Sequence, residues 1–151
     1  ETRVSTEVKV RRALGLDIGS KTIGLALTDE ADVAAHPLGV LSRVGNLGDA
    51  VAVAALVAKH GVEDVVYGMP FELSGRIGFR GRRVQHLVDA IRAALPNTIV
   101  LHEHDERFTT AEAERVLIDA DVSRAKRSAV IDQQAATLIL QAWLDLRKRR
   151  G

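Results

Sequence analysis

Three aspartates stand where a carboxylate needs a reason. Asp17 interrupts the apolar run Ala13-Leu14-Gly15-Leu16-Asp17-Ile18, on the strand face that it shares with Ala13 and Gly15. Burying a carboxylate without a partner is expensive. Glycines at 15, 19 and 24 strip side chains from its surroundings, leaving room for a phosphate or a polynucleotide backbone. Bonding to the amides of the following turn is the plainer alternative. Asp105 closes a run containing Ile99 and Leu101 and is expected on their side, with Glu106 facing the other way. Strand ends ahead of helix starts are where sites form in α/β sheets; a salt bridge with Arg107 is the competing reading. Asp132 shares a helical stripe with Ala135, Ala136, Ile139 and Trp143 near the start of the last helix. There it could equally act as a cap or as a favourable charge at a helix N-terminus.

Together the three suggest oxygen ligands drawn from a central strand, a strand end and a helix start. Oxygen-only sites favour Mg²⁺ or Mn²⁺ over zinc. Two such ions activate a water and stabilise the leaving oxygen of a phosphodiester, leaving a 5′ phosphate here. Cations must also hold the polyanion, and Lys21, Arg76, Arg80, Arg82, Arg83 and Arg107 lie near the three acids in sequence. Each arginine taken alone reads as well as solvated surface. His102 and His104 share a strand face with Glu106, a weak zinc grouping with no evident helical partner. His36, His60 and His86 read as surface or capping residues.

A chain of 151 residues has the length of one domain, 1–151, with the ends 1–10 and 147–151 expected to be flexible. With 21 Lys and Arg against 20 Asp and Glu, net charge says little about partners, whereas the basic clusters leave room for a positive face. The absence of cysteine excludes thiol catalysis and thiolate metal sites and suits a reducing compartment. No membrane span or signal-peptide layout is visible, so a cytoplasmic protein is expected.

Aromatic residues make up only 3%, so Val, Leu, Ile and Ala must build the core. Alternation predicts strands at residues 13–18 and 22–28, and the short Gly19-Ser20-Lys21 link permits only an antiparallel hairpin. A third strand is expected at 33–41, with Pro37 placing it at an edge or a break. Next come a buried helix over 48–59 capped by Gly61, a strand over 62–67 and a helix whose firm part is 84–95. A strand over 98–104, a helix opened by a capping box at Thr109–Glu112 and a long amphipathic helix over 131–147 complete the chain. This order predicts an α/β fold with a mixed sheet whose faces are covered by helices.

Four segments, in order, resemble the motifs of the YqgF/RuvX family. They are Gly15-Leu16-Asp17-Ile18-Gly19-Ser20-Lys21-Thr22-Ile23-Gly24, Tyr67-Gly68-Met69-Pro70 with Gly75 following, Asp105-Glu106-Arg107-Phe108-Thr109-Thr110, and Asp132-Gln133-Gln134-Ala135-Ala136. The resemblance implies a ribonuclease H-like five-stranded mixed sheet, an antiparallel hairpin followed by parallel strands, with helices on both faces. It also implies a metal-dependent nuclease, acting as a Holliday junction resolvase or in maturing the 5′ end of pre-16S ribosomal RNA. Carried over by position, Asp17, Asp105 and Asp132 become the metal-binding catalytic acids, and Lys21 and Arg107 the phosphate contacts. Thr22 stands where the family commonly has Arg, and Ser74-Gly75 where it commonly has Asp-Gly. The wider superfamily places an acid at the end of the fourth strand, and Tyr67, Gly68 and Met69 offer none.

The expected partners are a four-way DNA junction, precursor rRNA or both. Paired nicking of a junction would suit a homodimer. Phe71, Ile77 and Phe79 form either a contact patch or local core. Two other classes compete: a nucleic-acid-binding module without turnover, whose sign would be loss of the acids, and an actin-like ATP-binding domain. The latter pairs two domains around a nucleotide, and one domain fills this length.

Overall fold

The computed structural model describes residues 11–29, 34–108 and 124–150, with backbone alone for 108, 124–132 and 149–150. Strands β1 (Arg12–Ile18) and β2 (Thr22–Thr28) form the antiparallel hairpin, and β3 (Ala35–Ser42) lies antiparallel to β2. Helix α1 (Asn46–His60) returns the chain to β4 (Val62–Met69), parallel to β1. Helix α2 (Phe79–Ala94) leads to β5 (Val100–Asp105), parallel to β4; a 3-10 turn, Glu106–Phe108, follows. Helix α3 spans Arg124–Arg150. The sheet order is β3-β2-β1-β4-β5, the mixed five-stranded arrangement expected.

Alternation divides the side chains between two unequal faces. Leu14, Leu16, Ile18, Ile23, Leu25, Leu27, Val65, Tyr67 and Met69 pack on one side against α1 and α2. Burying each large apolar side chain contributes about 1.5–3 kcal/mol, so this side supplies most of the hydrophobic stabilisation. The other side carries Ala13, Ala26 and Val66 beneath Ala136, Ile139, Leu140 and Leu144 of α3. Small residues let that helix come close: a Cβ added to Gly15 would sit 2.8 Å from Leu140 Cβ and 3.1 Å from the Ala136 carbonyl oxygen.

Pro37 does lie on an edge strand, where its missing N–H breaks no inner ladder. Register there jumps from Leu25 opposite Gly39 to Ala26 opposite Pro37, leaving Leu38 as the extra residue of a bulge. Gly61 ends α1 in the left-handed conformation (φ 62°), its N–H donating to the Val57 carbonyl. Two helices begin earlier than expected, α2 at Phe79 and α3 at Arg124, and β5 runs over Val100–Asp105. The helix expected from Thr109 lies outside the described residues. Among the described residues, no helix is long and apolar enough to cross a membrane.

Candidate active site

Asp17 is 5% exposed, on the α3 side of the sheet. It pairs with Gly24 of β2, and the parallel register that sets Leu16 beside Tyr67 continues to bring Gly68 of β4 to its other flank. Both strand neighbours therefore lack side chains. The hairpin tip beyond it is closed by the Gly19 N–H donating to the Thr22 carbonyl at 2.8 Å, and Lys21 is exposed there.

Arg43 braces this tip. Its N–H donates to the Lys21 carbonyl at 2.9 Å, and its Nη1 to the Gly19 carbonyl at 3.1 Å. The guanidinium is held in turn by buried Asp49 (Nε to Oδ2, 2.9 Å) and by Asn46 (Nη2 to Oδ1, 2.6 Å). Asp49 also accepts from the Val44 N–H at 2.9 Å. Burial alone would raise the Asp49 carboxyl, but the Val44 and Gly45 amides and the Arg43 guanidinium together take it below its ordinary value.

At the end of β5, Asp105 pairs with Met69, and Arg107 folds back onto it. Arg107 Nη2 donates to Oδ2 at 2.6 Å, Nε reaches both oxygens at 3.0 Å and the Arg107 N–H donates to Oδ1 at 2.9 Å. These bonds, the Arg107 side chain foremost, hold the Asp105 carboxyl below its ordinary value. Met69 belongs to the α1/α2 side, so alternation sets Asp105 on the face opposite to Asp17.

Glu106 turns the other way, as alternation predicted, and goes where no ligand had been assigned. A Cβ on Gly68 would lie 2.7 Å from Glu106 Oε1 and 3.0 Å from its Cγ. The volume that a β4 side chain would fill is thus occupied by the Glu106 carboxylate, and the Gly68 backbone beneath it lies one strand spacing, about 4.8 Å, from that of Asp17. Sequence reading missed this residue. The available signal was the acid-free end of β4 beside a glutamate on the far side of β5 from Asp105.

Asp132 lies in α3 one turn before Ala136, whose carbonyl covers Gly15. The helix then runs past Gly68, under Ile139, toward His102, which meets Trp143. Its start therefore points to the Asp17 end of the sheet. The Asp132 side chain is outside the described residues. Among those that are described, no three His, Cys, Asp or Glu side chains group closely enough to hold a metal ion, His102, His104 and Glu106 included. The two acids described at this end, Asp17 and Glu106, offer carboxylate oxygens, the donor type that suits a hard divalent cation.

The expected arginines lie on or beside the loop after β4, whereas Lys21 is at the hairpin tip. Arg107 lies over the Phe71 ring (5.3 Å) and Arg83 over Phe79 (4.9 Å). Arg80 and Arg107 share a hollow of about 540 Å³ with Phe71, Phe79 and Glu106. Arg76, in the loop ahead of α2, and Arg82, in the helix's first turn, are exposed nearby. Phe71 packs partly on the core, whereas Phe79 is 68% exposed.

Comparison with known proteins matches residues 11–146 to the family model RuvX, described as Holliday junction resolvase. A protein of Desulforudis audaxviator named "Putative pre-16S rRNA nuclease" is 46% identical over 91% of this chain and 96% of its own length. One of the same name from Thermoanaerobacter pseudethanolicus is 41% identical over 92% of this chain and 99% of its own. Among solved structures, T. thermophilus RuvC in complex with a Holliday junction substrate aligns over 93% of this chain and 98% of that one. Its TM-score is 0.59 at 16% identity, a likeness of fold. On the family match and these identities, the chain belongs to the RuvX family.

Proposed function

We propose that the chain is a nuclease hydrolysing phosphodiester bonds in structured nucleic acid, with Asp17, Glu106 and Asp132 as its acidic centre. The observation that carries this is the Glu106 carboxylate filling the space over Gly68, beside a buried Asp17 whose strand neighbours are both glycine. These carboxylates would hold Mg²⁺ or Mn²⁺, two ions in the fullest form, which when bound supply an activated water and charge stabilisation at the leaving oxygen. Gly68 makes room for the Glu106 carboxylate, and Gly24 adds no side chain beside Asp17. Lys21, on its braced hairpin tip, and Arg107 would hold phosphate oxygens, while Arg76, Arg80, Arg82 and Arg83 would track the backbone beyond. Asp105 serves as the positioning residue for Arg107, through the four hydrogen bonds between them. We place this work in the cytoplasm, in keeping with a chain that has no cysteine.

Precursor rRNA and a four-way DNA junction are the two substrates that the relatives' names supply, and a junction would call for two copies making paired nicks. The test is Mg²⁺-dependent cleavage of both by wild type, Asp17→Asn, Glu106→Gln and Asp105→Asn. Asp17→Asn and Glu106→Gln should each lower the rate on the order of 10²-fold or more. Asp105→Asn, acting through Arg107, should cost about 10–100-fold. Undiminished cleavage by Asp17→Asn removes the mechanism, and cutting of one substrate alone names the physiological one.

A further inference from the structure

On the same sheet face as Asp17, at the far end of α3, a second hollow of about 550 Å³ opens between β5 and the helix. Among the described residues it is lined by Arg11, Asp64, His102, His104, Trp143 and Arg147, along with neighbours on β5 and α3. The proposed chemistry uses none of these. Asp64 is 2% exposed and His104 4%. One oxygen of Asp64, Oδ1, accepts from Arg11 Nη2 at 2.9 Å and lies 2.8 Å from His102 Nε2. Its other oxygen, Oδ2, and His104 Nε2 are buried with no hydrogen-bond partner among the described residues. Native proteins leave few such groups unmatched, because each forfeits its hydration without return. Two at one hollow point to a ligand that completes them.

The walls describe that ligand. The Trp143 indole meets the His102 ring at 4.8 Å, and the Arg147 guanidinium lies 4.7 Å over the Trp143 ring, a surface suited to a flat heterocycle. Arg147 brings positive charge for an attached phosphate, while Arg11 is held by Asp64 and Glu63. A spare carboxylate oxygen at the floor selects a ring edge that donates, such as an exocyclic amino group. Buried His104 offers Nε2 as acceptor or as N–H donor, according to its tautomer.

We propose that this hollow binds one unpaired nucleobase bearing an amino group, in the single strand that flanks the scissile bond. Asp64 lies four residues from Gly68 along β4, about 13 Å at strand rise. That span is a few nucleotides at a stacked spacing of about 3.4 Å along one strand. The placement on a substrate rests on the nuclease reading; the binding itself does not.

Trp143 is the single tryptophan of the chain, so its fluorescence reports on the hollow. The experiment titrates the full chain carrying Asp17→Asn with single-stranded hexamers of cytosine and of uracil, as RNA and as DNA. Cytosine hexamers should quench the emission and bind at least tenfold tighter than uracil hexamers; the tighter of the two sugars names the strand. Asp64→Asn, which turns part of the acceptor into a donor, should abolish that preference. Arg147→Ala, at the helix end, should weaken every hexamer while circular dichroism stays unchanged, which keeps the test decisive if Asp64→Asn fails to fold. Unchanged emission at hexamer concentrations that compete with cleavage, or equal affinity for the two bases, overturns the proposal. Base-selective quenching without cleavage by wild type overturns the nuclease reading instead.

Discussion

Gly68 shows how one missing side chain sets the chemistry around it. A Cβ there would fall 2.7 Å from Glu106 Oε1 and 2.7 Å from Ile139 Cδ1. Ile139 is fully buried under α3, whereas Glu106 ends a flexible chain, so Glu106 yields first. Gly68→Ala should therefore displace this carboxylate from the row of Asp17, lowering cleavage tenfold or more while destabilising by about 1–3 kcal/mol. Urea unfolding beside single-turnover cleavage checks both parts; full activity would show that Glu106 need not stand there. Asp17 was legible from sequence because a charged group inside an alternating apolar run, ringed by glycines, has few bland explanations. Glu106 was not, because its place depends on which β4 residue lies beside it, and that register is a non-local pairing.

Between elements, the Arg43–Asp49 pair ties the first turn of α1 to the β1–β2 hairpin tip that carries Lys21. Both partners are largely out of water, so deleting one strands the other. Asp49→Ala should cost about 3–5 kcal/mol in denaturant unfolding. It should also weaken nucleic-acid binding through a loosened Lys21. The pH dependence has a definite sign. Because the folded Asp49 carboxyl lies below its ordinary value of 3.8, its contribution is fully present above that value and is lost as pH falls through the folded one. Stability measured across that acid range should fall more steeply for wild type than for Asp49→Ala. Sequence patterning located these elements well where an apolar stripe or a glycine cap marked them, as in α1 with Gly61. It started α2 and α3 late because their first turns are arginine-rich. Periodicity registers only the buried stripe, while Arg is itself a good helix former.

Across the whole molecule, the small-residue face of the sheet sets how near α3 can lie and so where its first turns arrive. Two glycines have the same nominal clearance and opposite consequences. A Cβ on Gly15 would meet Leu140 Cβ at 2.8 Å and the Ala136 carbonyl at 3.1 Å, both fixed parts of a buried helix. A Cβ on Gly48 would meet Val44 Cγ2, also at 2.8 Å, but Val44 is 79% exposed and can swing into solvent. Gly48 lies inside α1, where Ala is favoured over Gly by about 1 kcal/mol. Gly48→Ala should therefore be neutral to stabilising and leave cleavage unchanged. Gly15→Ala can be accommodated only by lifting α3 as a body, which carries Asp132 away from Asp17. It should destabilise by about 1–3 kcal/mol and reduce cleavage further than the folded fraction accounts for. Equal behaviour of the two variants in thermal unfolding and in cleavage would mean that the close approach of α3 has no part in assembling the site.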